Sequence, residues 1–521
     1  MKRFRIIGCH LVEIHHQYPD GQRRNLFCTM LLALTVLTVG AQQRIPCVRN
    51  IPKDVVKTRN YIDDPIQNWD PQKIYRQAVV LISFADFDFR SDDPVAYYQR
   101  FFNEPGYNEG YGLGSVADYF RDQSGGLFNL QFDIYGPVKV TGNAKKSSNV
   151  NYGDDYMKEA MSELRSTVDA DFSIYDWDED GIVDQIIFIA AGYMGNQVKG
   201  YIWPNTGFLN LRAPGNIPVS VSSICCELWG DATTCGIGLI CHEYSHCLGL
   251  PDIYPTVTGD FSVVDEWDLM DGGNYINKGW CPPNFSMMEK MTLGWATPTE
   301  LTTATTVTGM KPVSEGGETF IIRNPGNENE FYLLENRRQT NWDYGIPGEG
   351  LAIFHVDYDE RSWSFNAVNT QKNHYRYDLF HADNRNYRDW DPAEDGKDMS
   401  KYTMPDNMRN KYLSTSVYPY ADSFVVNQSL TDDSSPQAIL YNNNTNGEKL
   451  MSKPITNIQM ASDGTISFDF MMEGTGIREV KSGEVKSEEW FDLQGRRLLS
   501  LPQAKGFYIV RKGKTVYKIK I

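Results

Sequence analysis

The chain has 521 residues, 41% of them hydrophobic and 13% aromatic, which is too long for one ordinary domain and has the texture of a folded protein. A net charge of −17 and a pI near 5.0 argue against a protein built to bind nucleic acid. The acidic balance alone names no substrate.

Arg23 and Arg24 precede an apolar run, Leu26 to Val39, and Val39 and Ala41 are small residues of the kind a signal peptidase accepts. The run is short for a membrane span. Residues 1–41 therefore read as a cleaved secretory signal with a long polar lead, and the polar, proline-broken stretch 42–74 as the pro-segment of a zymogen or an extended lead-in. Export would place the cysteines after Ala41 in an oxidising compartment. Pairing among Cys225, Cys226, Cys235 and Cys281 is then plausible, whereas Cys241 and Cys247 would point apart on one helix. Cys47, in the expected pro-segment, reads either as an inert thiol, the commoner case, or as a latency ligand capping a metal.

From residue 75 to 300 the pattern is α/β. The run AVVLISF (78–84) predicts a strand buried on both faces, and residues 94–123 carry helical spacing up to Ser124-Gly125-Gly126. Phe128, Leu130, Phe132 and Ile134 alternate with polar residues as one face of a strand. Tyr156, Met157, Ala160, Met161 and Leu164 mark an amphipathic helix, and QIIFIAAGY (185–193) another buried strand. Between these, DWDEDGIVD (176–184) spaces carboxylates as in the first part of a calcium loop. Asp176, Asp178, Asp180 and Asp184 would ligate with the Ile182 carbonyl, although Ile187 stands where a bidentate glutamate is expected. The alternative is an acidic turn held by its own backbone.

The densest chemistry lies at HEYSHCLGLPDIY (242–254). His242 and His246 are one helical turn apart and can share a metal ion, and Glu243 between them can take a proton from water activated there. Pro251 disfavours continuing the helix past Gly249, so the chain is expected to turn and bring Asp252 towards the metal. Ile237, Ile240, Tyr244, Cys247 and Leu248 would form a core face opposite the metal face. Downstream, Tyr275 is a candidate donor to a developing oxyanion, with plain packing as the commoner role. No G-x-S-x-G occurs, so nothing points to a serine hydrolase.

Residues 301–472 turn to short strands separated by Gly, Asn, Pro and Asp, which predicts a β-sandwich-like domain with long loops around 365–450. Residues 473–488 read as a linker. The tail, 489–521, predicts three short strands and carries eight Lys or Arg and no acidic residue from Arg496 onward. A solvated face or an address role would both suit it.

The quoted motifs resemble secreted metallopeptidases of the immune inhibitor A family, whose pattern H-E-x-x-H-x-x-G-x-x-D is met by His242, Glu243, His246, Gly249 and Asp252. The resemblance extends through YFRDQSGG (119–126), WDLMDGG (267–273), LGW (293–295), YLLENRR (332–338) and GIPGEGLAIFHVD (345–357). It implies a metzincin-like catalytic domain with Zn²⁺ on His242, His246 and Asp252, Glu243 as general base, and Met270 in a methionine turn beneath the metal. Metzincins usually carry histidine as third ligand, and aspartate also suits zinc. The tail resembles the C-terminal sorting modules of type IX secreted bacterial proteins. That implies a Gram-negative secretion machinery as partner and a secreted or surface-attached destination. The expected function is a monomeric, zinc-dependent endopeptidase acting on extracellular protein or peptide substrates. Its rivals are a zinc hydrolase of a glycoprotein or glycan and a surface binding protein with a structural metal, which would not require Glu243.

Overall fold

The computed structural model describes residues 2–7, 10–15, 47–51, 69–148, 150–257, 263–371, 373–385, 413–422, 426–472, 488–491, 497–498, 507–512 and 515–520. The expected signal run Leu26–Val39, most of the pro-segment and nearly all of the 473–488 linker lie outside them.

A mixed sheet organises the N-terminal part. Its strands are β1 (Val48–Arg49), β2 (Ile74–Ser83), β3 (Asn129–Lys139), β4 (Val183–Tyr193), β5 (Asn205–Gly207), β6 (Leu211–Arg212) and β7 (Pro218–Leu228). The order is β1-β5-β7-β4-β2-β3, with β6 also on β7. Strands β2, β3, β4 and β7 run parallel; β5 and β6 run antiparallel to β7, and β1 runs parallel to β5. One row crosses the whole sheet, from Ile134 through Val79, Ile187, Ser223 and Thr206 to Val48. The apolar runs in β2 and β4 are buried on both faces, as continuous runs in parallel strands must be.

Helical spacing over 94–123 resolves into α1 (Pro94–Asn103) and α2 (Val116–Gln123). The second starts at a capping box in which the Ser115 hydroxyl accepts from the Asp118 N–H and the Asp118 carboxylate accepts from the Ser115 N–H. In α3 (Asp154–Thr167) the buried residues are the five predicted from periodicity.

The β-rich part contains β8 (Thr299–Glu300), β9 (Thr305–Met310), β10 (Phe320–Asn324), β11 (Asn327–Arg337), β12 (Gly350–Asp357), β13 (Tyr377–Leu379), β14 (Ile455–Met460) and β15 (Ile466–Phe470). They form a five-stranded sheet, β8-β10-β11-β12-β13, and a three-stranded one, β9-β15-β14. Phe320, Ile322, Leu334 and Ile353 of the first share a core with Ile458, Ile466 and Phe468 of the second. The alternate residues Ile321, Leu333, Phe354 and Val356 join the core of the N-terminal part instead. The hydrophobic interior therefore runs unbroken past residue 300.

Fully buried Arg337 locks that junction. Its guanidinium pairs with Asp343 through two bonds of 2.8 Å and donates to the Trp267 carbonyl at 3.2 Å. Asp343 in turn accepts from the Asn284 N–H, and Glu335 from the Met287 N–H at the start of α5 (Met287–Thr292). A charge this deep is tolerable only when every donor is met.

The tail departs from the three-strand expectation. Four antiparallel strands, β16 (Glu488–Phe491), β17 (Arg497–Leu498), β18 (Phe507–Lys512) and β19 (Thr515–Lys520), pair in the order β17-β16-β18-β19. The stretch read as one strand folds back on itself, with Trp490 opposite Leu498.

Candidate metal centre

The centre is built on α4 (Gly238–Cys247). Its start is pressed against the backbone of residues 274–280: a Cβ at Gly238 would come within 2.6 Å of the Asn274 carbonyl. Its end is a glycine stop. Gly249 takes φ +102°, and the Leu250 N–H reaches back to the Ser245 carbonyl at 3.1 Å. Pro251 follows, and the reversed chain returns Asp252 to the face holding the two histidines.

His242 and His246 present matched nitrogens. Nδ1 of His242 lies 2.8 Å from the Leu269 carbonyl, and Nδ1 of His246 lies 2.7 Å from the Leu250 carbonyl. Each carbonyl needs a proton on Nδ1, which leaves the Nε2 lone pair for a metal. The two Nε2 atoms are 3.2 Å apart, and Asp252 Oδ1 lies 3.3 and 3.2 Å from them. A tetrahedral ion with bonds of about 2.0–2.1 Å would hold its ligands about 3.3 Å apart. Asp252 Oδ1 is buried and accepts no hydrogen bond, which suits an oxygen whose partner is a cation. The donor set therefore fits zinc. Burial pushes the Asp252 carboxyl up, but the two imidazoles outweigh it and hold the group well below the usual carboxylate range.

Asp252 is gripped from both sides by Asn366, on the loop after α6 (Glu360–Ser364). The Asn366 side-chain oxygen accepts from the Asp252 N–H at 2.5 Å, and its Nδ2 donates to Asp252 Oδ2 at 2.6 Å. Glu243 is fixed by Thr206, whose hydroxyl is 2.9 Å from Glu243 Oε2 and 2.8 Å from the Glu243 carbonyl. Burial pushes the Glu243 carboxyl up to about 7, against the opposing pull of His242. Neither Thr206 nor Asn366 carries a sequence signal, because each reaches the site from far along the chain.

A fourth donor is present. Cys47 Sγ joins His242, His246 and Asp252 in one group whose ligand atoms all lie within 4.8 Å of one another. Tyr254, two residues beyond Asp252, donates its hydroxyl to that sulfur at 3.1 Å. The centre is closed: exposures are 1% for His242 and Glu243, 6% for His246, 0% for Asp252 and 7% for Cys47. The metal face of α4 is thus covered as fully as the core face predicted opposite it. Residues Gly238 to His246 are buried all round, because β1 and the Asn366 loop cover the metal face.

The remaining predicted residues fall as follows. Met270 is fully buried in the turn after Leu269, and its carbonyl accepts from the Ile253 N–H, so it braces the Asp252 loop. Tyr275 packs edge-on against Trp229 and accepts from Asn196 Nδ2 at 3.0 Å. In the acidic loop, Asp176, Asp178 and Asp184 come together as a possible cation group. Asp180 instead turns its Oδ1 to the Ile182 N–H at 2.8 Å and does not join the group. Burial, then repulsion from Asp178, Asp176 and Asp180, pushes Asp184 up to about 6. The plausible disulfides among Cys225, Cys226, Cys235 and Cys281 do not form, since no described cysteine is oxidised. Cys225 and Cys226 are neighbours on β7 and point to opposite faces of it.

Two imidazoles and a carboxylate around one point, with a second carboxylate beside them, are the equipment of a metallopeptidase centre. The family profile described as immune inhibitor A peptidase M6, catalytic domain, matches residues 230–294, which contain α4, Asp252 and Met270. Among named relatives, the chain is 24% identical to Immune inhibitor A of Bacillus thuringiensis subsp. alesti, over 41% of this chain and 38% of that protein. It is 22% identical to Pre-pro-metalloprotease PrtV of Vibrio cholerae serotype O1 (strain M66-2), over 44% of this chain and 29% of that one. The match thus spans well under half the length of either relative. No helix among the described residues is long and apolar enough to cross a membrane.

Proposed function

We propose that the chain is a secreted, zinc-dependent endopeptidase that cleaves extracellular proteins. The observation that carries this reading is the triangle of His242 Nε2, His246 Nε2 and Asp252 Oδ1, spaced as corners of a tetrahedral site, with Glu243 adjacent in sequence and held by Thr206. The resemblance to a named metalloprotease supports it.

His242, His246 and Asp252 would hold the ion. When bound, zinc supplies Lewis-acid polarisation of the scissile carbonyl and lowers the pKa of water. Glu243 takes the proton of the attacking water and passes it to the leaving amine. The Thr206 hydroxyl keeps one of the Glu243 carboxylate oxygens fixed for both transfers. Tyr254, whose hydroxyl donates to Cys47 Sγ beside the ligand atoms, would serve as a donor to the developing oxyanion alongside the earlier candidate Tyr275. Asp176, Asp178 and Asp184 would take a structural calcium ion, a role supported by their grouping around one point. The basic C-terminal sheet would serve as the sorting module for export across an outer membrane, and the enzyme would act as a monomer.

The test is Glu243→Ala in the secreted, N-terminally sequenced protein, with zinc content and casein cleavage measured with and without a chelator. Zinc should stay and cleavage should fall to background. Unchanged cleavage with zinc in place would overturn the mechanism.

A further inference from the structure

The short strand β1 does more than border the sheet. It lies along the outer edge of β5, on the side of the sheet next to α4, where an extended chain finds unpaired backbone groups. The Thr206 N–H donates to the Cys47 carbonyl at 3.0 Å, and the Phe208 N–H to the Arg49 carbonyl at 3.3 Å. The Cys47 N–H donates to Asp252 Oδ2 at 3.3 Å. Arg49 pins the segment from its far end: its guanidinium pairs with Asp154 at 2.6 Å, donates to Asn205 Oδ1 at 2.9 and 2.6 Å, and lies 4.0 Å over the Tyr152 ring. This anchoring delivers Cys47 Sγ to the donor group of His242, His246 and Asp252, with Tyr254 donating to the sulfur.

We propose that residues 47–49 are a built-in inhibitor: the Cys47 thiolate fills the fourth ligand position and β1 fills the edge of β5 that a substrate backbone would otherwise take. This rests on the zinc-peptidase reading above. Two separate contacts carry it, one by sulfur and one by main chain, and both block the same centre. A thiolate is a stronger zinc ligand than water, so the chain holding this segment is latent. Loss of the segment opens the ligand position and the strand edge together. Arg49 is the anchoring residue of the device, and Cys47 its ligand.

The experiment uses the full chain loaded with zinc and, in parallel, with cobalt. X-ray absorption at the zinc edge should show one sulfur at about 2.3 Å beside lighter ligands. Cobalt should give a thiolate charge-transfer band. Both signals should vanish in Cys47→Ser, which should still bind one zinc and gain peptidase activity about tenfold or more over the unprocessed wild type. Arg49→Ala keeps the thiol and unpins the strand. It should raise activity in the same direction and increase the reactivity of Cys47 towards a thiol reagent. Zinc bound without sulfur in the wild type would overturn the latency proposal and leave the zinc site intact. Absence of zinc from both wild type and Cys47→Ser would overturn the metal reading and the latency proposal with it.

Discussion

Asn366 offers the sharpest test of how the β-rich part serves the metal centre. Replacing it with alanine removes the 2.5 Å bond to the Asp252 N–H and the 2.6 Å bond to Oδ2. A neutral hydrogen bond is worth about 1 kcal/mol net and one to a charged group about 1.5–3, so the two together amount to about 2.5–4 kcal/mol. Part returns as water enters the gap. What remains acts on Asp252 itself, whose Oδ2 would keep only the longer Cys47 N–H contact at 3.3 Å. Loss of an outer partner to a ligand costs about 10–100-fold in metal affinity. Zinc affinity of Asn366→Ala, measured by competition against a calibrated chelator, should therefore fall by one to two orders of magnitude, with a lower melting temperature. An affinity within about twofold of the wild type, in a folded variant, would refute the reasoning, because the carboxylate would then be held well enough without its clamp.

Three further outcomes are expected. Arg337→Ala leaves Asp343 and Glu335 buried without their cation and should destabilise the protein by about 3–5 kcal/mol in a denaturant titration; a loss under about 1 kcal/mol would contradict the buried-network account. Burial lowers His381 to about 4, so the folded protein holds it neutral; the stability this confers is complete above pH 6.5 and lost as pH falls from there through 4. The shift corresponds to about 3 kcal/mol, and His381→Phe should show a smaller fall in melting temperature between pH 7 and pH 4.5 than the wild type, an equal fall contradicting it. Calcium should raise the melting temperature of the wild type and not of Asp178→Asn, and equal shifts in both would remove the ion from the acidic loop.

What could be read from the sequence was whatever local spacing encodes. His242 and His246 are set one turn apart by the helix itself, and the turn at Gly249 and Pro251 returns Asp252 within a few residues. Strands β2 and β4 announced themselves because both faces are buried and their runs are unbroken. The rest depends on distant chain meeting at one point. Thr206 lies 37 residues before Glu243 and Asn366 lies 114 after Asp252, so neither has any local pattern to betray it. The same distance hid why α4 is buried all round, since its cover comes from β1 and the Asn366 loop. Crowded cysteines invited disulfides, but where each sulfur points depends on strand and helix geometry that counting cannot supply. In the acidic loop the spacing was legible; that Asp180 turns to its own backbone was not.

Thr206 touches three things at once: its N–H holds a neighbouring main-chain carbonyl, its hydroxyl holds the Glu243 side chain, and the same hydroxyl holds the Glu243 carbonyl. Register along the sheet edge and the aim of the base thus meet at one residue, the first through its backbone and the second through its side chain. A chain that slides by one residue along β5 would present the wrong group to the Thr206 N–H. The place where an extended chain docks and the place where the proton-accepting carboxylate is held share a single point of attachment.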